Sequence, residues 1–119
     1  MLTVVDTIHW SFAFLILLCA FTLGWIQLGR RVMLALVGIQ FIIGIVYLGL
    51  IGTGAAALGG RLWMHILGWL LATVAYALGS RAGRSSSSKA VPILLSLIGL
   101  VLLLTTAWVG LAMHGRFVG

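Results

Sequence analysis

Acidic side chains are nearly missing from this chain of 119 residues, in which Asp6 stands against seven lysines and arginines. A single carboxylate excludes catalysis by a carboxylate pair, and the sequence has neither a Ser/His/Asp arrangement nor a phosphate-binding glycine loop. Cysteine is equally scarce, since Cys19 stands alone and no intrachain disulfide can form. These absences remove most familiar enzyme classes.

Charge of either sign is also scarce, because charged residues make up only 7% of the chain and hydrophobic residues 63%. A soluble domain carries about 25% charged residues, so this composition predicts that lipid is the main solvent. The net charge of +6 does not indicate nucleic-acid binding, because the basic residues flank apolar runs. The first run lacks a positive leading region and is long enough to span, which predicts no cleavable signal peptide.

Apolar runs occupy most of the chain. A membrane-spanning helix needs about 20 mostly apolar residues, and open strands cannot satisfy their backbone groups in hydrocarbon. The sequence therefore predicts an all-α, integral membrane four-helix up-down bundle, a single transmembrane domain over residues 1–119. Its predicted helices are Thr7–Leu28, Val32–Ile51, Leu62–Leu78 and Val91–Met113. The intervening polar turns are predicted at residues 29–31, 52–61 and 80–90.

Basic residues are distributed unequally between the two sides of this predicted bundle. One side carries Arg30, Arg31, Arg81, Arg84 and Lys89, and the other carries Arg61 and Arg116. The excess of lysine and arginine marks the cytoplasmic side. We therefore predict a prokaryotic plasma membrane protein with both termini outside.

Three histidines fall at the predicted outer ends of three helices: His9, His65 and His114. Helices 1 and 3 run parallel, so His9 and His65 enter the membrane to similar depth. Bundle cofactors bind to inward side chains of facing helices, and two level imidazoles suit a six-coordinate haem iron. This pattern predicts a haem b site with His9 and His65 as metal ligands. His114 is a third candidate ligand, a quinone contact or a helix-end residue.

Small residues follow both histidines at helical spacing, including Ala13 after His9 and Gly68 after His65. They either open a slot for a flat macrocycle or permit close helix packing. Gln40 is predicted to hydrogen-bond a neighbouring helix or to contact the cofactor. Arg61 and Arg116 are either partners of the haem propionates or ordinary interfacial arginines.

Two further features bear on the site. Asp6 lies one turn before His9 and is either a hydrogen-bond acceptor or proton relay, the one catalytic candidate, or a helix N-terminal charge. Met64 and Met113 adjoin two of the histidines, and His/Met suits copper. Because adjacent helical residues face different ways, copper ranks below haem.

A family resemblance rests on three short motifs. Asp6-x-x-His9 resembles the Glu-x-x-His-Arg motif of the haem A synthase family, Gln40-x-x-x-Gly44 is similar to its next helix, and His65 matches the second histidine. The resemblance covers about three helices of one four-helix half and implies His9 and His65 as axial ligands. This chain departs from the family by Asp6 for Glu, Trp10 for Arg, a fourth helix placed last and no cysteine-bearing outer loop. The cytochrome b561-like bundles share the general plan.

Three functions remain open at this stage. The first is a small b-type cytochrome that transfers electrons, with a quinone or other membrane subunits as partners. The second is a cofactor-free accessory subunit of a larger respiratory or photosynthetic complex, or a homo-oligomer. The third is a haem-modifying enzyme of the haem A synthase type, an oxidoreductase acting on haem or quinol.

Overall fold

The computed structural model describes the backbone of residues 2–52, 59–85 and 88–114, together with their side chains except those of Leu2, Met113 and His114. Within these ranges the chain forms four helices and no strand. They are α1 (Leu2–Thr22), α2 (Gln27–Ile51), α3 (Gly60–Ser85) and α4 (Ala90–His114). The prediction of an all-α, four-helix chain is confirmed.

Each helix is long and apolar enough to cross a bilayer. The apolar spans contain 20, 25, 26 and 23 residues, and a hydrocarbon core about 30 Å thick needs about 20 residues of helix. Large apolar side chains are exposed along all four helices, with Phe14, Trp63 and Trp108 each more than 70% accessible. Such a surface is stable against lipid tails, as expected of an integral membrane protein.

The four helices alternate in direction, and each packs against two neighbours in a closed bundle. Each of α1 and α3 packs against both α2 and α4, and the pairing of α3 with α4 is the most extensive. The helices α1 and α3 are therefore diagonal to each other. We call the end where α1 and α3 begin the histidine end, and the end where they finish the arginine end.

The first turn lies earlier in the chain than the sequence indicated. Residues 23–26 connect α1 to α2, whereas Gly29, Arg30 and Arg31, predicted as the turn, belong to α2. A side chain at Gly29 would overlap the carbonyl of Leu23, so glycine permits the first turn of α2 to approach the connection closely. Charged residues usually lie in loops, which is why the sequence predicts a turn here, but Arg30 is buried within the bundle.

Several other helix ends extend beyond the predicted spans, although α1 ends at Thr22 instead of Leu28. The first helix begins at Leu2 instead of Thr7, and α3 continues through Ser85 instead of stopping at Leu78. Ser80 was predicted to open a loop, but it is buried and accepts hydrogen bonds from the Gln27 amide through its carbonyl and hydroxyl oxygens. A polar residue with a partner on the next helix can remain helical. The ends of α4 differ from prediction by one residue each.

Two tyrosines allow a matched test of the packing. Tyr76 is fully buried, and its hydroxyl has no hydrogen-bond partner among the described residues. We expect Tyr76→Phe to leave the free energy of unfolding unchanged or raise it by up to about 1 kcal/mol, because only an unpaired polar atom is removed. The Tyr47 hydroxyl donates to Asp6 Oδ1 at 2.7 Å. Tyr47→Phe should therefore destabilise by about 1–3 kcal/mol.

Thermal unfolding of both purified variants in one detergent measures the difference. Equal losses of stability in the two proteins would contradict the assignment of the Tyr76 hydroxyl as unpaired.

Candidate functional site

His9 and His65 face each other across the centre of the bundle, near the histidine end. They lie on the diagonal helices α1 and α3, and their ring centroids are 6.4 Å apart with the rings inclined at 63°. Both side chains are half-buried. The structure thus brings together the two histidines that the sequence placed at equal depth, although their helices scarcely touch each other elsewhere.

Thr106 on α4 fixes the orientation of the His65 ring. The His65 Nδ1 atom lies 2.9 Å from the Thr106 carbonyl oxygen. A carbonyl only accepts, so Nδ1 carries the proton and the neutral ring keeps a lone pair at Nε2. Histidines that bind metals almost always donate their second ring N–H in this way, which holds the ring and raises its basicity.

Gly110, one turn further along α4, packs against the same ring. An added Cβ at Gly110 would lie 3.0 Å from His65 Cε1 and 3.3 Å from Nδ1. With any side chain at this position, the imidazole would have to shift by a few tenths of an ångström. The α4 helix therefore both hydrogen-bonds and accommodates the His65 ring.

The His9 ring is supported from α2. Gln40 Nε2 donates to the backbone carbonyl of His9 at 2.9 Å, and the ring of Tyr47 lies 5.5 Å from the His9 ring between centroids. Gly44 leaves space beside His9, since an added Cβ would lie 3.8 Å from Cε1. The Nδ1 atom of His9 is buried and has no hydrogen-bond partner among the described residues. The hydrogen-bonding capacity of this nitrogen is therefore unused among the described residues.

Asp6 is buried beside this pair, with 8% of its surface accessible. Its carboxylate accepts the hydrogen bond from Tyr47. The contact ties the beginning of α1 to the end of α2. It also places the only acidic residue of the chain next to His9.

A cavity of about 220 Å³ opens between the two rings and the four helices. Its wall is almost entirely apolar and includes Gln40, whose buried side-chain oxygen, Oε1, has no partner among the described residues. Every helix contributes to the lining, which includes Ala13, Gln40, Gly44, Trp69, Thr106 and Gly110. An apolar cavity with a few convergent polar atoms is typical of a ligand site.

The other predicted site residues are placed differently. Gly68 lies outside this cavity and packs against the Thr106 side chain, as in a close helix contact. Arg61 is exposed near the start of α3, and Met64 is 60% exposed. His114 is the last residue of α4, but its side chain and that of Met113 lie outside the described part of the chain, as does Arg116.

Three contributors were missed by sequence reasoning, since Thr106 and Gly110 were not singled out and Tyr47 suggested only a packing or interfacial residue. The sequence offered a signal for Gly110 alone, which lies four positions after a polar residue, as Gly44 lies four positions after Gln40 on α2. Thr106 contacts His65 through its backbone carbonyl, which no side-chain pattern indicates.

The number of metal-ligating side chains at the site is small. Among the described residues no group of three or more histidine, cysteine or acidic side chains could hold a metal ion. Two imidazoles that share one ion through bonds of about 2.0–2.1 Å have their ring centroids about 6 Å apart, close to the observed separation of 6.4 Å. A haem iron needs only these two protein ligands.

Comparison with known proteins returned no match: no protein-family model fits the chain, and neither the curated proteins nor the solved structures include a significant relative.

Proposed function

We propose that this bundle binds a b-type haem between His9 and His65 and transfers electrons within the membrane. The observation that carries the proposal is the facing pair of imidazoles, of which His65 is held with its Nε2 lone pair free by the Thr106 carbonyl. Burying a polar group in a membrane helix is costly, and two such groups that converge without bonding each other favour a shared ligand. A bound haem supplies a one-electron iron couple.

The residues around His9 and His65 have distinct roles in this proposal. Thr106 and Gly110 orient the His65 ring, and Gln40 fixes α1 against α2 through the His9 carbonyl. Asp6 and Tyr47 hold the start of α1, one turn from His9. The apolar wall excludes water, which keeps the site at low dielectric and tunes the reduction potential.

The cavity between His9 and His65 can hold a haem macrocycle only if the helices around it move apart. The cavity, at about 220 Å³, lies below the range of about 300–1,000 Å³ common for drug-sized ligands. Of the four neighbouring helix pairs, α1 and α4 have the least contact. We infer that α1 shifts outward from α4 when the haem enters, because this separation sacrifices the fewest packing contacts.

Charge supports a definite orientation in the membrane. The arginine end carries the basic residues Arg30, Arg31, Arg81, Arg84 and Lys89. By the positive-inside rule this end faces the cytoplasm of a prokaryotic cell and the histidine end faces outside. The haem then lies near the outer face, and both termini are external.

A second candidate ligand for the same cavity is a quinol. It is favoured by the buried Gln40 Oε1, an acceptor without a partner among the described residues, and by a volume suited to a single ring. A quinol hydroxyl would donate to this oxygen. Quinol binding is also compatible with electron transfer, since a quinol is a two-electron donor.

Difference spectra of the purified protein test the haem proposal. The chain should be produced in a haem-supplied host and recorded as dithionite-reduced minus oxidised. We expect sharp b-type bands in the wild type, and at least a tenfold loss of bound haem in His9→Ala and in His65→Ala. His114→Ala is the matched control, because it removes a third histidine predicted at the same end, and it should retain the bands.

A folded, colourless protein from the same host would overturn the haem proposal. Saturable binding of a quinol analogue to that protein, lost in Gln40→Leu, would then support the second candidate. Failure of both would favour the cofactor-free accessory subunit.

A further inference from the structure

A second cavity, of about 310 Å³, lies at the arginine end of the bundle. It is bounded by the start of α2, the end of α3 and the start of α4. Its lining includes Gln27, Arg30, Gly83, Ser88, Lys89 and Pro92. The proposed haem site is at the opposite end, so the two cavities share no residue.

Arg30 is the buried charge in this wall, with only 4% of its surface accessible. Its guanidinium donates to the Trp25 carbonyl at 2.9 Å, to Gln27 Oε1 at 3.2 Å and to Ser96 Oγ at 3.4 Å. All three acceptors are neutral. The remaining nitrogen, Nε, is buried and has no partner among the described residues.

No acidic side chain is available to neutralise this arginine. Asp6, the only acidic residue, is bound to Tyr47 at the histidine end. Arginine stays protonated in proteins, and a buried charge without a counter-charge is strongly unfavourable. The bundle therefore carries at this end a buried positive charge that the described residues leave uncompensated.

Two further features add to the positive potential of the cavity. Lys89 lines it and immediately precedes α4, whose first residues also reach the wall. The N-terminus of a helix carries a partial positive charge and favours anions. A buried guanidinium, a lysine and a helix N-terminus thus converge on one space.

We propose that this cavity binds a phosphate group, supplied in the membrane by the headgroup of an anionic phospholipid. Guanidinium groups match phosphate oxygens in geometry and charge. Basic pockets between transmembrane helices bind lipid headgroups of this kind. The cavity lies at the end of four spanning helices, where headgroups are concentrated. The proposal does not depend on haem binding.

Lipid titration of the purified full-length protein tests the ligand. Phosphatidylglycerol, phosphatidylcholine with the same acyl chains and inorganic phosphate should each be added in a neutral detergent, with bound lipid counted by native mass spectrometry and the melting temperature recorded. We expect saturable binding of phosphatidylglycerol with a raised melting temperature, and at least tenfold weaker binding of phosphatidylcholine. A saturable shift with inorganic phosphate, which phosphatidylglycerol does not increase, would support the phosphate site and identify free phosphate as its source.

Two neighbouring arginines provide the matched variants. Arg30→Gln removes the buried charge and should weaken phosphatidylglycerol binding at least tenfold. Arg31→Gln removes the same charge from an exposed position and should change the affinity less than twofold. Lys89→Gln, at an exposed position, should weaken binding several-fold and serves if Arg30→Gln does not fold. Equal losses in the Arg30 and Arg31 variants, or equal binding of both lipids, would overturn the proposal.

Discussion

Gly99→Leu should destabilise the bundle strongly, by about 3 kcal/mol or more. A Cβ at this position would lie 2.6 Å from Cε2 of Tyr76 and 2.9 Å from Cδ2. The Tyr76 ring is fully buried, so it has no free space into which to move. The clash would separate α3 from α4, the most closely packed pair of helices.

Gly49→Leu is the control for this prediction, because an added Cβ there meets no atom within 4 Å. Both variants add the same side chain to a helical glycine, and only one should lower the melting temperature in detergent. Similar melting temperatures for the two proteins would show that the packing of Tyr76 against Gly99 does not limit stability.

Gly110→Leu should have the largest effect on the proposed site. An added Cβ at Gly110 would already lie 3.0 Å from His65 Cε1, so the larger leucine side chain should push the imidazole away from the Thr106 carbonyl. Without that hydrogen bond the ring loses its fixed orientation, and a misplaced ligand cannot complete a two-imidazole site. We expect at least a tenfold loss of bound haem, with helix content retained.

The reduced spectrum and circular dichroism of one sample together measure this effect. Gly49→Leu again provides the comparison and should keep full haem content. If Gly110→Leu retained sharp six-coordinate bands, His65 would not be held as the structure indicates, and the ligand assignment would have to change.

The helical spans were predictable because hydrocarbon thickness sets their length and few charged residues interrupt them. The ends were less accurate for a physical reason. Arg30 and Ser80 are polar and were interpreted as turn residues, yet each finds a hydrogen-bond partner on another helix. Whether a polar residue ends a helix or stays within it depends on such tertiary partners, which local sequence does not specify.

The small residues of α3 illustrate a second limit. Gly68 and Gly79 follow His65 at helical spacing and were expected either to open a slot or to permit close packing. Gly68 contacts Thr106, and Gly79 lies against Arg30 and Leu95. Both positions are filled by neighbouring side chains. Helical spacing correctly indicated that these glycines lie on the packed side of α3. Which side chains cover them depends on the register of the adjacent helices.

The proximity of the two histidines was predictable from the sequence, whereas the residues that support their rings were not. His9 and His65 were candidates because they lie at equal depth on two parallel helices. The structure places their ring centroids 6.4 Å apart. Thr106 was missed because its carbonyl, not its side chain, contacts His65. Every residue has a carbonyl, so no sequence pattern marks the one that matters.

The diagonal placement of α1 and α3 has a consequence for biosynthesis. Only the first of the two histidines is present when the α1–α2 hairpin has entered the membrane, and the second arrives with α3. A ligand held by both rings can therefore be captured only after the third helix has been translated. Once captured, it joins two segments that otherwise scarcely touch, and ligand supply would determine how much of the newly made chain escapes degradation.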